Sequence, residues 1–204
     1  SGGRKGSLLA VMDKTVTSAG GRLLERRLSA PSTDFDEITG RHDAVTFALS
    51  NSSVSERLRE ILRKVPDMER ALSRLSLDRA SPRDLAAIRS GLRQAQEVAA
   101  QLGGIELSSL WHNLVTDLVD HEPLIGLLTD ALIEEPPLLT RDGGFVASGY
   151  HPELDEMRAL RDEGRGIVAK MQADYISTAG IPSLKIKHNN VLGYFIETTA
   201  THAE

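Results

Sequence analysis

The stretch HPELDEMRALRDEGRGIVAKMQADYISTAG, residues 151–180, decides the fold of this chain. Its apolar or small residues recur at alternating steps of three and four positions, which is the period of an amphipathic helix. Pro152 suits the first turn of such a helix, and Gly180 with Pro182 favours its end. The pattern predicts one helix about 40 Å long at ~1.5 Å per residue. We call one row on it the apolar seam: Leu154, Met157, Gly164, Val168, Met171 and Tyr175.

The residues before this helix predict a helical core. Cap residues mark helix starts at Asp34, Asp67 and Ser81, the last followed by Pro82, and Asn51-Ser52-Ser53 predicts a turn. Gly103-Gly104 predicts the end of the helix that starts at Ser81. The side chains expected in the core of the first two helices are Ile38, Val45, Phe47 and Leu49, and Met68, Ala71, Leu72 and Leu75.

The residues after the long helix predict two short strands. Leu184 and Ile186 alternate with Lys185 and Lys187, and a second alternating run follows at 194–199. Two strands alone are only marginally stable in water, so we expect the chain to stop inside a larger domain. The predicted fold is therefore mainly α: a multi-helical core (1–150), a long helix (151–182) and a short β-hairpin from an incomplete domain (183–204).

Composition excludes several classes of protein. The chain has no cysteine, which excludes disulfides, zinc–thiolate sites and a cysteine nucleophile and fits the cytoplasm. No apolar run is long enough to span a membrane or to form a signal peptide. The net charge of −5 argues mildly against a dedicated nucleic-acid binder. We expect a cytoplasmic protein with no membrane partner.

No residue set predicts catalysis, a metal or a cofactor. The histidines are scattered without a His-x-x-x-His pair, and no serine lies in a Gly-x-Ser-x-Gly motif. Asp117, Asp120, His121 and Glu122 are close in sequence, but successive helical positions point in different directions, so a solvated helix end is the better interpretation.

One group of opposite charges is denser than a surface helix needs. It predicts either an ion-pair network that fixes the angle between two helices around Ser81-Pro82, or a mixed-charge face in water. Its members are Asp67, Glu69, Arg70, Arg74, Arg79, Arg83 and Asp84.

Lys185 and Lys187 are the candidate binding residues. They share one face of the first strand, where a lysine pair is able to contact phosphates without distinguishing bases. Edge strands also carry lysine to prevent unwanted strand pairing, and the residues alone favour this second interpretation.

The order of several segments resembles the MutS family of DNA mismatch repair ATPases. Each segment is short, but their order is specific, and together they cover residues 6–197. The segments are GSLL (6–9), DKTVT (13–17), GGRLL (20–24), PDMER (66–70), PRDL (82–85), RDGG (141–144), ELDE (153–156) and the hairpin residues Leu184, Lys185, Asn189, Gly193, Tyr194 and Ile196.

The resemblance implies a role for each part of the chain. Residues 1–150 are similar to that family's core, residues 151–182 to the lever helix that leaves it, and residues 183–204 to the start of the clamp. It implies that the clamp holds double-stranded DNA by its backbone, with Lys185 and Lys187 as the residues carried over. The longer protein would be a homodimer that uses ATP and Mg²⁺ bound outside this chain.

A different class of function stays open. The apolar seam, residues 154–175, would equally suit a free-standing helical adaptor that dimerises or docks a partner helix. Self-association through this helix is expected on either interpretation, because its partner is missing.

Overall fold

The computed structural model describes residues 6–199, which form nine α-helices and one two-stranded sheet. The chain divides into two compact units, Ser1–Ala147 and Ser148–Glu204. The predicted fold class, mainly α with a long helix and a terminal hairpin, is confirmed. The division at 150 and 182 stays a prediction, and its parts at 1–5 and 200–204 lie outside the described residues.

The helices of the first unit are separated by short connections, and a 3₁₀ turn at Thr140–Asp142 lies in the segment that follows the last of these helices. The bounds are α1 Leu8–Met12, α2 Ser18–Ser29, α3 Phe35–Ser50, α4 Ser52–Leu62, α5 Met68–Ser76, α6 Pro82–Leu102, α7 Ser109–Thr116 and α8 Glu122–Ala131; the second unit holds α9 Pro152–Ala179, β1 Lys185–Asn189 and β2 Gly193–Glu197.

Helix α6 organises the first unit, because it packs against α4, α5, α7 and α8. Its sequence begins with a carboxylate cap: Asp84 Oδ2 accepts hydrogen bonds from Ser81 N at 2.8 Å and Ser81 Oγ at 2.9 Å. The helix contributes side chains to two separate apolar clusters. They are Ala71, Ile88, Leu92, Leu128 and Leu132 at one end, and Leu58, Ile61, Val98 and Leu102 at the other.

Helices α5 and α6 approach closely at Gly91. A Cβ on residue 91 would stand 2.0 Å from Met68 Sδ and 2.5 Å from Met68 Cγ. Such distances are far below van der Waals contact, so only glycine leaves room for the methionine. Met68 therefore packs over the backbone of α6 rather than beside it.

The predicted ion-pair network is present in part. Arg74 Nε donates to Asp84 Oδ1 at 3.0 Å and joins α5 to the start of α6. Arg22, which the sequence did not single out, donates to both Asp67 oxygens at 2.7 and 2.8 Å and joins α2 to the start of α5. These hydrogen-bonded guanidinium groups lower the pKa of Asp67, and that of Asp84 to about 2.

A buried arginine holds the segment after α8. Arg89 is only 2% exposed, and its guanidinium donates to four backbone carbonyls. The acceptors are Leu128 (3.4 Å), Leu132 (3.2 Å), Ile133 (3.3 Å) and Glu134 (2.8 Å). Three of these carbonyls, those of Leu132, Ile133 and Glu134, follow Ala131, the last residue of α8, and the Leu128 carbonyl also accepts from Leu132 N. The cation therefore supplies donors to the backbone directly after the helix.

Several expected core residues are exposed instead. Leu72 and Leu75 are 49% and 43% exposed, because the short helix α5 reaches α6 through Met68 and Ala71 and leaves its other side in water. Val45 and Leu49 of α3 are also exposed. The predicted turn at 51–53 was too long, since α4 already begins at Ser52.

The long helix is continuous. The His151 side chain caps α9 by accepting from Leu154 N, Pro152 is its first residue, and Gly180 ends it in the left-handed conformation (φ 66°, ψ 20°). No side chain of α9 is buried, so the apolar seam lies largely open. Across residues 6–199 we find no helix with the length and apolar character needed to cross a membrane.

Candidate nucleic-acid interface

Strands β1 and β2 place both candidate lysines on one side of the hairpin. In the antiparallel register Lys185 pairs with Glu197, and Lys187 pairs with Phe195. Directly paired residues of an antiparallel sheet share a face, so the lysines share theirs with Phe195 and Glu197. The opposite face carries Ile186, paired with Ile196, together with His188 and Tyr194, whose rings meet edge-on with centroids 4.9 Å apart.

The two lysines have different electrostatic surroundings. Lys187 Nζ lies 2.7 Å from Glu197 Oε2, and both side chains are half-exposed. Among residues 6–199 Lys185 forms no ion pair, and its side chain is exposed. Within the described part of the chain, the face therefore presents one lysine without an ion pair and one whose charge is balanced by Glu197.

The hairpin is attached to the last turns of α9. Gln172 Oε1 accepts a hydrogen bond from Ile186 N at 2.8 Å, which occupies a backbone donor of β1. Leu184, just before β1, is 7% exposed, and the Ser183 hydroxyl lies 3.4 Å from that of Thr198. The lysine face is thus held by backbone and side-chain bonds rather than by the strand pair alone.

The turn between the strands is closed by one side chain. Asn189 Oδ1 accepts from Val191 N at 2.9 Å and Leu192 N at 2.7 Å, as short polar side chains do in turns. Gly193 then adopts a positive φ of 69°, which glycine tolerates without a steric penalty. Val191 is 90% exposed at the tip.

This arrangement is able to contact an anionic backbone. Flexible ammonium groups on a strand face are suited to phosphates. The sequence did not predict that Glu197 balances the charge of Lys187. The alternation of β2 places Glu197 two positions from Phe195, but only the strand register shows that it faces the lysines.

The acidic residues near His121 do not converge. His121 Nε2 lies 3.2 Å from the carbonyl oxygen of Asp117, and Glu122 Oε1 accepts from Gln96 Nε2 at 2.7 Å. In the described part of the chain no group of three or more His, Asp or Glu side chains is placed to hold a metal ion.

Comparison with known proteins agrees with the resemblance that the order of segments indicates. The model of the family described as MutS domain III matches residues 1–202. The chain belongs to the MutS domain III family. The DNA mismatch repair protein MutS of Paracoccus denitrificans is 61% identical over 204 residues, that of Dinoroseobacter shibae 60% over 204 residues, and that of Roseobacter denitrificans 59% over 204 residues.

In each of these three comparisons the alignment covers 100% of this chain and 23% of the MutS relative. The resemblance of residues 6–197 to MutS is therefore confirmed along the whole chain. The individual roles of Lys185 and Lys187 are not tested by these comparisons.

Proposed function

We propose that this chain is the core, lever and beginning of the clamp of a longer DNA mismatch repair ATPase of the MutS family. It has no catalytic role of its own, and ATP and Mg²⁺ bind elsewhere in the longer protein, a cytoplasmic homodimer. The observation that carries the proposal is the continuity of α9, Pro152–Ala179, together with the attachment of the hairpin to it through Gln172.

The hairpin contacts the backbone of double-stranded DNA through Lys185, and through Lys187 when Glu197 releases it. Because β1 contacts α9 and bonds to the side chain of Gln172, a displacement of the helix is passed to the lysine face. Helix α9 takes one of a few discrete positions, depending on the nucleotide bound to the longer protein. Its position in turn determines how the hairpin contacts DNA.

Softening α9 without changing its length tests this coupling. In the longer protein, Ala169, Lys170, Ala173 and Asp174, which are all exposed, are replaced by glycine. Each glycine weakens the helix by about 1 kcal/mol. The matched control is Lys170→Ala with Asp174→Ala, which removes the same charges but keeps the helix stiff.

We expect the glycine variant to lose the stimulation of ATP turnover by mismatched DNA while keeping basal turnover, and the control to retain both. Equal stimulation of ATP turnover in the two variants would mean that a stiff α9 is not needed for the coupling.

The exposed seam supports a second candidate, a helical adaptor. Met157 is 68% exposed, Met171 42% and Tyr175 41%, and such apolar rows are suited to a partner helix. Sedimentation of the 204-residue chain and its Met171→Asp variant tests this function. A tight dimer that the substitution dissociates, in a protein that does not bind DNA, favours the adaptor.

A further inference from the structure

The middle of α9 differs from its two ends. Residues 161–166, Arg-Asp-Glu-Gly-Arg-Gly, hold no apolar side chain, so the apolar residues of the helix fall into two groups, one up to Leu160 and one from Ile167. Gly164 and Gly166 lie within a single turn of the helix. Two glycines so close together leave one turn with little intrinsic preference for the helical conformation.

Packing among the described residues does not explain these glycines. A Cβ at either position would meet no heavy atom within 4 Å, and neither residue has a positive φ. Gly91 of α6 is the contrasting case, since Met68 occupies the space of its Cβ. Each glycine lowers the local helix equilibrium roughly five-fold relative to alanine, and within residues 6–199 no atom occupies the space that an alanine methyl group would need at these positions.

Side chains around the glycines add little stiffness. Arg161 and Asp162 are neighbours in sequence with a 2.9 Å ion pair, and Arg165 lies 3.7 Å from the same carboxylate. All three side chains are more than half exposed, so solvent screens the pairs.

Both ends of the helix are better secured. Near the start, Asp155 Oδ2 accepts from Gly149 N at 2.6 Å, and Arg158 Nη1 donates to Asp155 Oδ1 at 3.1 Å. Near the end, Gln172 bonds to the backbone of Ile186.

We propose that Gly164 and Gly166 form a hinge in α9, at which the rod bends between a first half, residues 152–163, and a second half, residues 167–179. The significance of the hinge rests on the proposed function: bending there would swing the hairpin and its lysine face while the start of the helix stays in place. The lever would then act as two rigid segments joined at a fixed point, rather than as one beam.

The absence of cysteine from the 204 residues makes a distance measurement direct. Spin labels on Glu156→Cys and Ala173→Cys, both at exposed positions, stand about 26 Å apart along a straight helix of 17 steps. Pulsed electron–electron double resonance then gives the distribution of distances between the two spin labels. The test variant is Gly164→Ala with Gly166→Ala, and the matched control is Glu163→Ala with Arg165→Ala, which changes the same turn but keeps both glycines.

We expect the wild type and the control to show a broad distribution with a component shorter than the straight-helix distance. The double alanine variant is expected to show one narrow peak at that distance. Hydrogen exchange of amides 164–169 is expected to slow by about 30-fold in the alanine variant and not in the control. A narrow wild-type peak that matches the alanine variant, with unchanged exchange, would overturn the hinge.

This measurement needs neither nucleotide nor DNA. A failed hinge is therefore distinguishable from a failed coupling role, which the glycine substitutions at 169–174 test separately.

Discussion

The ammonium group of Lys187 and the carboxylate of Glu197 stand diagonally across the hairpin, 2.7 Å apart. The pair lies on the face that carries Lys185. The sequence predicts two lysines on this face, but Glu197 already balances the charge of one of them. Any anion that approaches this face must compete with Glu197 for Lys187.

Replacing the competing carboxylate should strengthen binding to DNA. Because half-exposed ion pairs contribute about 0.2–1 kcal/mol, Glu197→Gln is expected to tighten binding of a 20-base-pair duplex by up to about five-fold at low salt. The slope of log affinity against log salt should steepen by about 0.9, as for one added phosphate contact. Fluorescence anisotropy of a labelled duplex measures both quantities.

A double-mutant cycle provides the control. In the Lys187→Gln background, Glu197→Gln should change duplex affinity by less than in the wild type, because the released cation is absent. An equal gain in both backgrounds would mean that Glu197 only repels DNA through its own charge, and that Lys187 is not a contact.

Lys185 should account for a sequence-independent part of the affinity. We expect Lys185→Gln to weaken matched and mismatched duplexes alike and to reduce the salt slope by about 0.9. Lys170→Gln, a similarly exposed lysine on α9, serves as the matched control for lost net charge. Mismatch-selective loss on Lys185→Gln would contradict a backbone contact.

The long helices could be predicted from sequence because their signals are local. The start of α6 at Pro82 and its end before Gly103 follow from a cap, a proline and a glycine within a few positions of each boundary. The same holds for α9 from Pro152 to Gly180. Periodicity then fixes which face is apolar.

The polar contacts could not be predicted in the same way, because their partners are distant in sequence or depend on register. Arg22 reaches Asp67 across 45 positions, and Arg89 bonds to carbonyls 39 to 45 positions away. Glu197 shares a face with Lys187 only once the strand register is known. Burial also depends on packing, which is why Leu72 looked like a core residue and is exposed.

The close contact between Met68 and Gly91 predicts a steric effect. Gly91→Ala is expected to destabilise the chain by about 1–3 kcal/mol, the usual cost of overpacking, despite the better helix propensity of alanine. Gly126→Ala in α8, where the added Cβ meets no atom within 4 Å, is the matched control and should gain about 0.5–1 kcal/mol. Urea unfolding measures both.

Removing the methionine tests the cause. In the Met68→Ala background, Gly91→Ala should cost less than in the wild type, because the colliding sulfur is gone. An undiminished cost would place the strain elsewhere in α6.

The ion pair between Arg74 and Asp84 predicts acid sensitivity. The guanidinium of Arg74, with the hydrogen bonds from Ser81, lowers the pKa of Asp84 from 3.8 to about 2. A depressed folded-state pKa adds stability above the unfolded value, which is lost as pH falls from about 4 to about 2. Since Arg74 is 47% exposed, solvent screening reduces the contribution to about 1–2 kcal/mol.

Asp84→Asn should therefore lower stability at pH 7 and flatten its dependence on pH between 4 and 2, as measured by urea unfolding at each pH. Asp162→Asn is the control, because the pKa of Asp162 is also lowered, by Arg161, but its carboxylate is in solvent. It should keep the wild-type pH profile. An Asp84→Asn profile parallel to the wild type would show that other carboxylates control acid unfolding.

Arg89 should be among the most sensitive positions in the core, because one buried cation serves four carbonyls. Arg89→Met keeps much of the side-chain volume but removes every donor, and we expect the free energy of unfolding to fall by about 3 kcal/mol or more.

Arg93→Met is the matched control on the same helix. Arg93 is 38% exposed and bonds to the side chains of Thr129 and Glu134, so this variant should lose about 1 kcal/mol or less. Denaturant midpoints measure both changes, and amide exchange at residues 132–134 should accelerate only in the Arg89 variant. Equal losses at the two positions would mean that water replaces the guanidinium at these carbonyls, and that the segment after α8 is held by its other contacts, such as the hydrogen bond from Ile133 N to the Phe145 carbonyl.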